Sequence, residues 1–209
     1  MKADISSEII KRLKKAYPDA RIALRYSNPL ELLVATILSA QCTDERVNII
    51  TALLFKKYKS ADDYASADIK EFESAIHSAG FFRNKAKNII ASAKLIRDNF
   101  DGKVPASMAE ILTLPGVARK TANVVLGNAY NIVEGIAVDT HVIRLSNRLG
   151  MTKNTDPVKI EQDLMKIIPE KDWFNISFLL QHHGRAVCHA KKPNHGICVL
   201  KNICISSDI

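Results

Sequence analysis

The sequence predicts an all-α protein, and three observations carry that prediction. Apolar residues recur at helical spacing along most of the chain. Helix-start signals, a capping residue followed by Pro or an acid, stand in front of those stretches. No alternating stretch is long enough for a half-buried strand, and pieces such as Ile136 to Val138 are too brief to build a sheet.

The elements follow in order. Asn28-Pro29-Leu30-Glu31 opens a helix with an N-cap, Pro at the first position and an acid at the third. Leu32, Leu33, Thr36 and Ile37 form its buried face. Asp44 caps a second helix through Val47, Ile50, Leu53 and Leu54. Asp68-Ile69-Lys70-Glu71 has capping-box spacing ahead of Phe72, Ala75 and Ile76, and Gly80 stops that helix. Asn84 starts the next, with Ala86, Ile89, Ile90, Ala93 and Ile96 at helical period and Lys85, Lys87, Lys94 and Arg97 on its polar side. Ser107 to Glu110 is a further capping box leading into Ile111 and Leu112. Asp156-Pro157 begins a helix toward Ile168, ended by Pro169. Trp173 to Val187 is helical again. No repeat, low-complexity tract or linker divides the chain, so these signals alone leave one domain or two.

Composition narrows the function. The chain has 209 residues, 47% hydrophobic and 25% charged, which suits an ordinary folded protein and excludes bulk disorder. Eight Gly and seven Pro exclude collagen-like classes. No apolar run approaches the ~18–20 residues that span a bilayer. Met1 to Tyr17 mixes charge with single apolar residues, unlike a leader peptide, so the expected location is the cytoplasm. Thirty Lys and Arg against 22 Asp and Glu leave +8, an excess that points first to nucleic acid and second to an anionic membrane surface. Of four cysteines, Cys42 stands alone while Cys188, Cys198 and Cys204 crowd the C-terminus, a placement that suggests a metal site.

The most informative segment is Leu112 to Leu126. A short helix ends at Thr113, Pro115-Gly116 makes a tight turn, Leu114 and Val117 can plug into flanking helices, and a new helix starts near Arg119. This is helix–hairpin–helix patterning. Such a turn exposes N–H groups, and the following helix start adds a positive dipole end, so together they bind backbone phosphate. Contacts of that kind place a duplex without reading its sequence. The plainer alternative is a helix-connecting turn, and the basic pair Arg119-Lys120 favours DNA.

The run Leu114 to Leu126 resembles the signature of the endonuclease III family, in the helix–hairpin–helix DNA glycosylase superfamily. Four more segments resemble the family in order and spacing: Leu38 to Asp44, Gly80 to Ala86, Ala137 to Val142, and His183-Gly184-Arg185 with the cysteines after it. The likeness covers nearly the whole chain. It implies two helical domains flanking a DNA-binding cleft: a six-helix barrel at about 22–132 carrying the hairpin, and a second domain of 1–21 plus 133–209 with a C-terminal cluster loop. It also implies a bifunctional DNA glycosylase and abasic-site lyase acting on oxidised pyrimidines, as a monomer on damaged double-stranded DNA and not on membranes.

The chemistry fits two residues. Breaking the base–sugar bond calls for a nucleophile at the sugar carbon. A lysine amine, with a free pKa of ~10.4, serves if its surroundings oppose the ammonium form. Lys120 beside Arg119 at a helix start is so placed. The resemblance puts Asp139 across the cleft, activating the lysine or leaving group and stabilising positive charge on the sugar. The resulting Schiff base acidifies the neighbouring C–H, and the 3′ phosphate can be eliminated. The alternatives are a phosphate-anchoring Lys120 and an Asp139 that merely caps the helix through His141 and Arg144. Relatives that remove adenine opposite oxidised guanine lack this lysine and carry an acid just before the glutamine, where this chain has Ser39-Ala40-Gln41.

A base within the stack must be flipped out to react. By resemblance Gln41 fills the gap, with Phe81 of Gly80-Phe81-Phe82 as the apolar wedge beside it. The family commonly has an aliphatic residue there. The expected DNA-contacting set is Gln41, Phe81, Leu114, Gly116, Ala118, Arg119, Thr121, His141 and Lys191. Ala118 stands where the hairpin commonly has Gly; if that position needs positive φ, Ala costs on the order of 1 kcal/mol.

In the family four cysteines hold a [4Fe–4S] cluster with spacing C-x6-C-x2-C-x5-C. Cys188, Cys198 and Cys204 keep that register, and the second position is His195. The expected cofactor is the cluster with His195 as a ligand, which raises its potential relative to four thiolates. A cluster with a non-protein fourth ligand, a three-iron form, a lost cluster, or a Cys3His zinc site are the alternatives. Lys191 and Lys192 in the loop would face phosphates, and Cys42 reads as a small core residue. A family member with another lesion preference, or a DNA-binding module without activity, completes the alternatives.

Overall fold

The computed structural model describes residues 3–207. Met1 and Lys2, part of the segment read above as no leader peptide, lie outside them. Among the described residues every regular element is helical, and no helix is long and apolar enough to cross a membrane. The chain divides into two compact units, Ala23–Ile132 on one hand and Met1–Ile22 with Val133–Ile209 on the other.

The unit Ala23–Ile132 is built on α2 (Pro29–Leu38). Asn28 caps it, accepting from the Glu31 N–H at 2.9 Å, while the Glu31 carboxylate accepts from the Ser27 N–H at 2.7 Å. Every residue from Leu32 to Leu38 is buried, so this helix is surrounded rather than amphipathic. Helix α3 (Asp44–Lys57) is capped by Thr43, whose hydroxyl accepts from the Arg46 N–H. Asp44, the expected cap, is instead the first helical residue, where its charge still suits the positive helix end. Helix α4 (Ala61–Ala65) starts from a reciprocal capping box between Ser60 and Asp63. It is too short to leave a periodic trace in the sequence. Tyr58, Tyr64 and Phe72 form an aromatic cluster beside it, with ring centroids 5.0–5.9 Å apart.

Helix α5 (Ile69–Ala75) is capped by Asp68, but the Glu71 carboxylate pairs with Lys57 instead of returning to the cap. It also stops before Gly80. A 3-10 turn, His77–Ala79, intervenes, and Gly80 ends that turn at φ 70°. Helix α6 (Phe82–Asn99) then begins two residues ahead of Asn84, preceded by Phe81 at φ 47°. Lys85, assigned above to the polar side, is buried at 5% exposure. Helix α7 (Met108–Ile111) is capped by the Ser107 hydroxyl, and it ends two residues short of Thr113. Helix α8 (Arg119–Tyr130) packs against α2 and closes on Asn131 in the left-handed region at φ 56°.

The other unit packs α1 (Ala3–Ala16), α9 (Thr140–Arg148), α10 (Pro157–Ile167) and α11 (Trp173–Ala186) around one core. Ile9, Ile10 and Leu13 supply the apolar face of α1, whose lysines lie outside. Asp156 caps α10, as its position before Pro157 predicts. Ile136 and Val138 are buried in this core without forming a strand. Cys188, Cys198 and Cys204 pack against its edge.

Candidate functional site

The hairpin between α7 and α8 is closed by the Val117 N–H donating to the Leu114 carbonyl at 3.1 Å. Leu114 and Val117 are 2% and 8% exposed and anchor the turn in the core. Leu114 therefore offers solvent no side chain, and a DNA contact at this position is limited to its main chain. Gly116 is required twice over. Its φ is +81°, and a Cβ there would lie 2.9 Å from the Cβ and Nδ2 of Asn88. Ser92 of α6 donates to the Pro115 carbonyl at 2.7 Å, so α6 holds the turn from below.

Ala118 sits at φ −95°, ordinary extended backbone, so no glycine is needed and the conditional penalty does not apply. It is the N-cap of α8 and makes no side-chain cap hydrogen bond there. Arg119, Lys120 and Thr121, all half-buried, form the first turn of α8 at the positive end of its dipole. Gly116→Ala should cost at least ~1–2 kcal/mol from the left-handed backbone, before any displacement of Asn88. At ~2–4 °C per kcal/mol for a chain of this size, melting should fall by several degrees. Thermal denaturation alongside a DNA-binding titration checks this.

Gln41 and Phe81 lie in the same unit. Both are exposed, Phe81 at 65%, and both adopt left-handed backbone, at φ 53° and 47°. Phe82 is half-buried, its ring 4.6 Å from that of His77 with the Arg83 guanidinium against it. Cys42 is half-buried, not a fully enclosed core residue.

In the other unit Asp139 is the N-cap of α9. Its Oδ1 accepts from the Val142 N–H at 2.8 Å and its Oδ2 from Gln181 Nε2 at 3.0 Å. The capping role is real, and it leaves a carboxylate oriented by two donors. His141, in the first turn, sits with Nδ1 3.1 Å from Arg144 Nη2. Arg144 also donates to the carbonyls of Gly184 and Cys188. A Cβ on Gly184 would lie 2.7 Å from His141 Nδ1, which gives the glycine of His183-Gly184-Arg185 its reason: α9 and α11 cross there.

The C-terminal loop gathers its candidate ligands. Cys188, His195, Cys198 and Cys204 line one small pocket with Arg148 and His183. All three thiols are free. Arg148 Nη1 lies 3.2 Å from Cys188 Sγ, and its guanidinium also donates to the carbonyls of His189 and Ala190. His183 is buried, and burial pushes its pKa down to about 4, so the imidazole is neutral. The Tyr17 hydroxyl sits 2.9 Å from its Nδ1 and Cys198 Sγ 3.5 Å from its Nε2. A neutral ring accepting from the tyrosine leaves Nε2–H to face the sulfur.

Burial, and then the neighbouring thiols, hold the Cys198 thiol above its ordinary pKa, a burden that a bound cation reverses. Among the described residues no three His, Cys, Asp or Glu side chains converge to hold a single metal ion. Two donors face sulfurs here, Arg148 at Cys188 and the His183 ring at Cys198, an arrangement that suits thiolates held to iron. Lys191 is exposed on this loop.

Several of these residues escaped sequence reasoning: Lys85, Asn88, Ser92, Arg148, Gln181 and Tyr17. Only Lys85 left a usable signal. It shares a helical stripe with Ile89, Ser92 and Ile96, which predicts burial.

A helical unit presenting a phosphate-suited hairpin, and a second unit ending in a thiol-lined loop, define a DNA-repair class of protein. Residues 34–170 match the HhH-GPD superfamily of base excision DNA repair proteins, and residues 188–204 match the iron–sulfur binding domain of endonuclease III. Endonuclease III of Synechocystis sp. is 58% identical over 202 residues, spanning 97% of this chain and 92% of that one. The Bacillus subtilis endonuclease III is 46% identical, spanning 90% and 86%. A solved trapped endonuclease III–DNA covalent intermediate has a TM-score of 0.95 at 40% identity, covering 99% of this chain and 97% of that chain. The chain belongs to the endonuclease III family of HhH-GPD base excision DNA repair proteins, and it is a DNA glycosylase with lyase activity.

Proposed function

We propose that this chain removes oxidised pyrimidines from duplex DNA and cuts the strand at the abasic site it makes, acting as a monomer. The observation that carries the reading is Lys120 in the first turn of α8, directly after a hairpin whose turn demands Gly116. Main-chain N–H groups of the hairpin and helix start hold a phosphate of the damaged strand. The target nucleotide is flipped out, and Gln41 and Phe81 take its place in the stack.

Lys120 Nζ, as the free amine, forms a bond to C1′ while the C1′–N bond to the base breaks. The base leaves with the bonding electrons and takes up a proton. The Asp139 carboxylate stabilises positive charge at C1′ and serves as the proton acceptor for the lysine. Opening of the sugar ring gives the C1′=N Schiff base. Loss of a C2′ proton then pushes electrons toward C3′, and the 3′ phosphate leaves. Water hydrolyses the imine, freeing Lys120 and an unsaturated aldehyde on the cut strand.

Cys188, His195, Cys198 and Cys204 would hold a [4Fe–4S] cluster, whose contribution when bound is structural: it fixes the loop that presents Lys191 to phosphate. Three thiolates with one neutral imidazole should give a higher reduction potential than four thiolates. His195→Cys should therefore keep about four irons per chain and shift the potential negative. Cys198→Ser should lose most of the iron and the visible absorbance. Iron analysis with protein-film voltammetry decides, and full iron in Cys198→Ser would remove that residue from the ligand set.

The activity is tested with duplexes carrying a thymine glycol, a T·G mismatch or a pyrimidine dimer. Alkali-independent cleavage of the thymine glycol strand alone is expected. Cleavage at either other lesion in preference would replace the substrate assignment.

A further inference from the structure

Lys85 is the residue whose place the catalytic scheme leaves unexplained. It is 5% exposed on α6, and its Nζ donates to two main-chain carbonyls, Leu38 at 2.8 Å and Ala79 at 2.9 Å. Leu38 is the last residue of α2, and Ala79 the last of the 3-10 turn. Carbonyls at helix ends lack donors of their own, and an ammonium is favoured at the negative end of a helix dipole. Burial pulls the lysine's pKa below its ordinary value, so the charge is kept there at a cost. A methionine could occupy the same stem volume without that cost.

The two tethered ends lead straight to the gap-filling residues. Gln41 lies three residues beyond Leu38, and Phe81 two beyond Ala79. Both are exposed non-glycine residues held in left-handed backbone. Such conformations persist only where the surroundings impose them. One buried ammonium fixes the chain just before each.

We infer that Lys85 is a positioning residue for base extrusion, its ammonium joining the end of α2 to the end of the 3-10 turn so that Gln41 and Phe81 enter the duplex as one rigid pair. The inference rests on the proposed reading of Gln41 and Phe81 as gap fillers. It predicts a loss confined to steps that need the gap filled. Cleavage of a pre-formed abasic site in single-stranded DNA has no stack to repair and should be insensitive.

The test compares Lys85→Met with the native protein in single-turnover excision from a thymine glycol duplex, with 2-aminopurine beside the lesion reporting extrusion. Duplex excision should fall by about thirtyfold or more, given that ångström-scale misplacement can cost ~100-fold. The 2-aminopurine rise should disappear, and single-strand abasic cleavage should stay within about threefold. In a Gln41→Ala/Phe81→Ala background, adding Lys85→Met should cost less than about threefold more, because the residues it positions are already gone. Lys85→Gln, which keeps a shorter N–H donor, takes its place if Lys85→Met does not fold, with the same split expected.

Equal losses on both substrates, or a full additional loss in the Gln41→Ala/Phe81→Ala background, would overturn the inference. Native-like excision by Lys85→Met overturns it alone if Gln41→Ala/Phe81→Ala is impaired. Native-like excision by Gln41→Ala/Phe81→Ala overturns the gap-filling reading, and the inference with it.

Discussion

Lys120→Ala should abolish strand cleavage, by a factor of at least about 10³, while DNA affinity changes by no more than about tenfold, or ~1.4 kcal/mol. The asymmetry follows from where the residue sits. Lys120 is one of three residues in the first turn of α8. The phosphate-binding capacity of that turn comes mainly from main-chain N–H groups and the helix dipole, which the substitution leaves in place. Arg119 and Thr121 remain as well. A nucleophile has no such substitutes, because an alanine side chain offers no amine to the sugar carbon. If Lys120 were only a phosphate anchor, the pattern would invert, with affinity falling and turnover at saturating DNA largely kept. Gel-shift titration and single-turnover cleavage at saturating enzyme separate the two. A lower slope of binding against salt, by about one unit, would mark the anchor role.

Asp139→Asn should cut base excision by about 10²–10⁴-fold with the fold intact. Asp139 both caps α9 and carries the negative charge, and this substitution separates those functions. Asparagine is as good an N-cap as aspartate, so the bond from the Val142 N–H is retained. The second bond, now from Gln181 Nε2, is rebuilt by turning the Gln181 amide so that its Oε1 accepts from the asparagine NH2. Melting should therefore move little. Asp139→Ala removes the cap as well and should cost about 1 kcal/mol of stability in addition. If Asp139 were a cap and nothing more, Asp139→Asn would keep native activity and only Asp139→Ala would show a defect. Single-turnover excision measured beside thermal melting on both variants distinguishes these outcomes.

The residues that were legible in the sequence were those whose local chemistry admits one reading. Asn28 before Pro29, Asp156 before Pro157 and Gly116 after Pro115 each force a particular backbone, and each stands where that backbone is found. Ambiguity entered where two adjacent residues could serve. Thr43 and Asp44 are both capping types, and the helix took the first. Helix α6 began at Phe82 because the chain turned at Gly80 and Phe81, not because Asn84 capped it.

The larger misreading concerned Lys85. Residue type assigned it to solvent, whereas its stripe with Ile89, Ser92 and Ile96 predicts burial. The candidate ligands Cys188, His195, Cys198 and Cys204 were visible as a spacing, and their common cavity follows from it. Arg148 and Tyr17 were not visible. Arg148 reaches Cys188 from α9 and Tyr17 reaches His183 from just past α1, 40 and 166 residues away in sequence, and no local pattern encodes contacts at that separation.

In the proposed reaction Lys120 becomes covalently bound to the sugar of the damaged nucleotide. Borohydride trapping on a duplex with a single thymine glycol, followed by peptide mapping of the adduct, tests it directly. A stable protein–DNA adduct is expected whose modified residue is Lys120, absent from Lys120→Ala. An adduct mapped to a different lysine, or one formed equally well by Lys120→Ala, would contradict it.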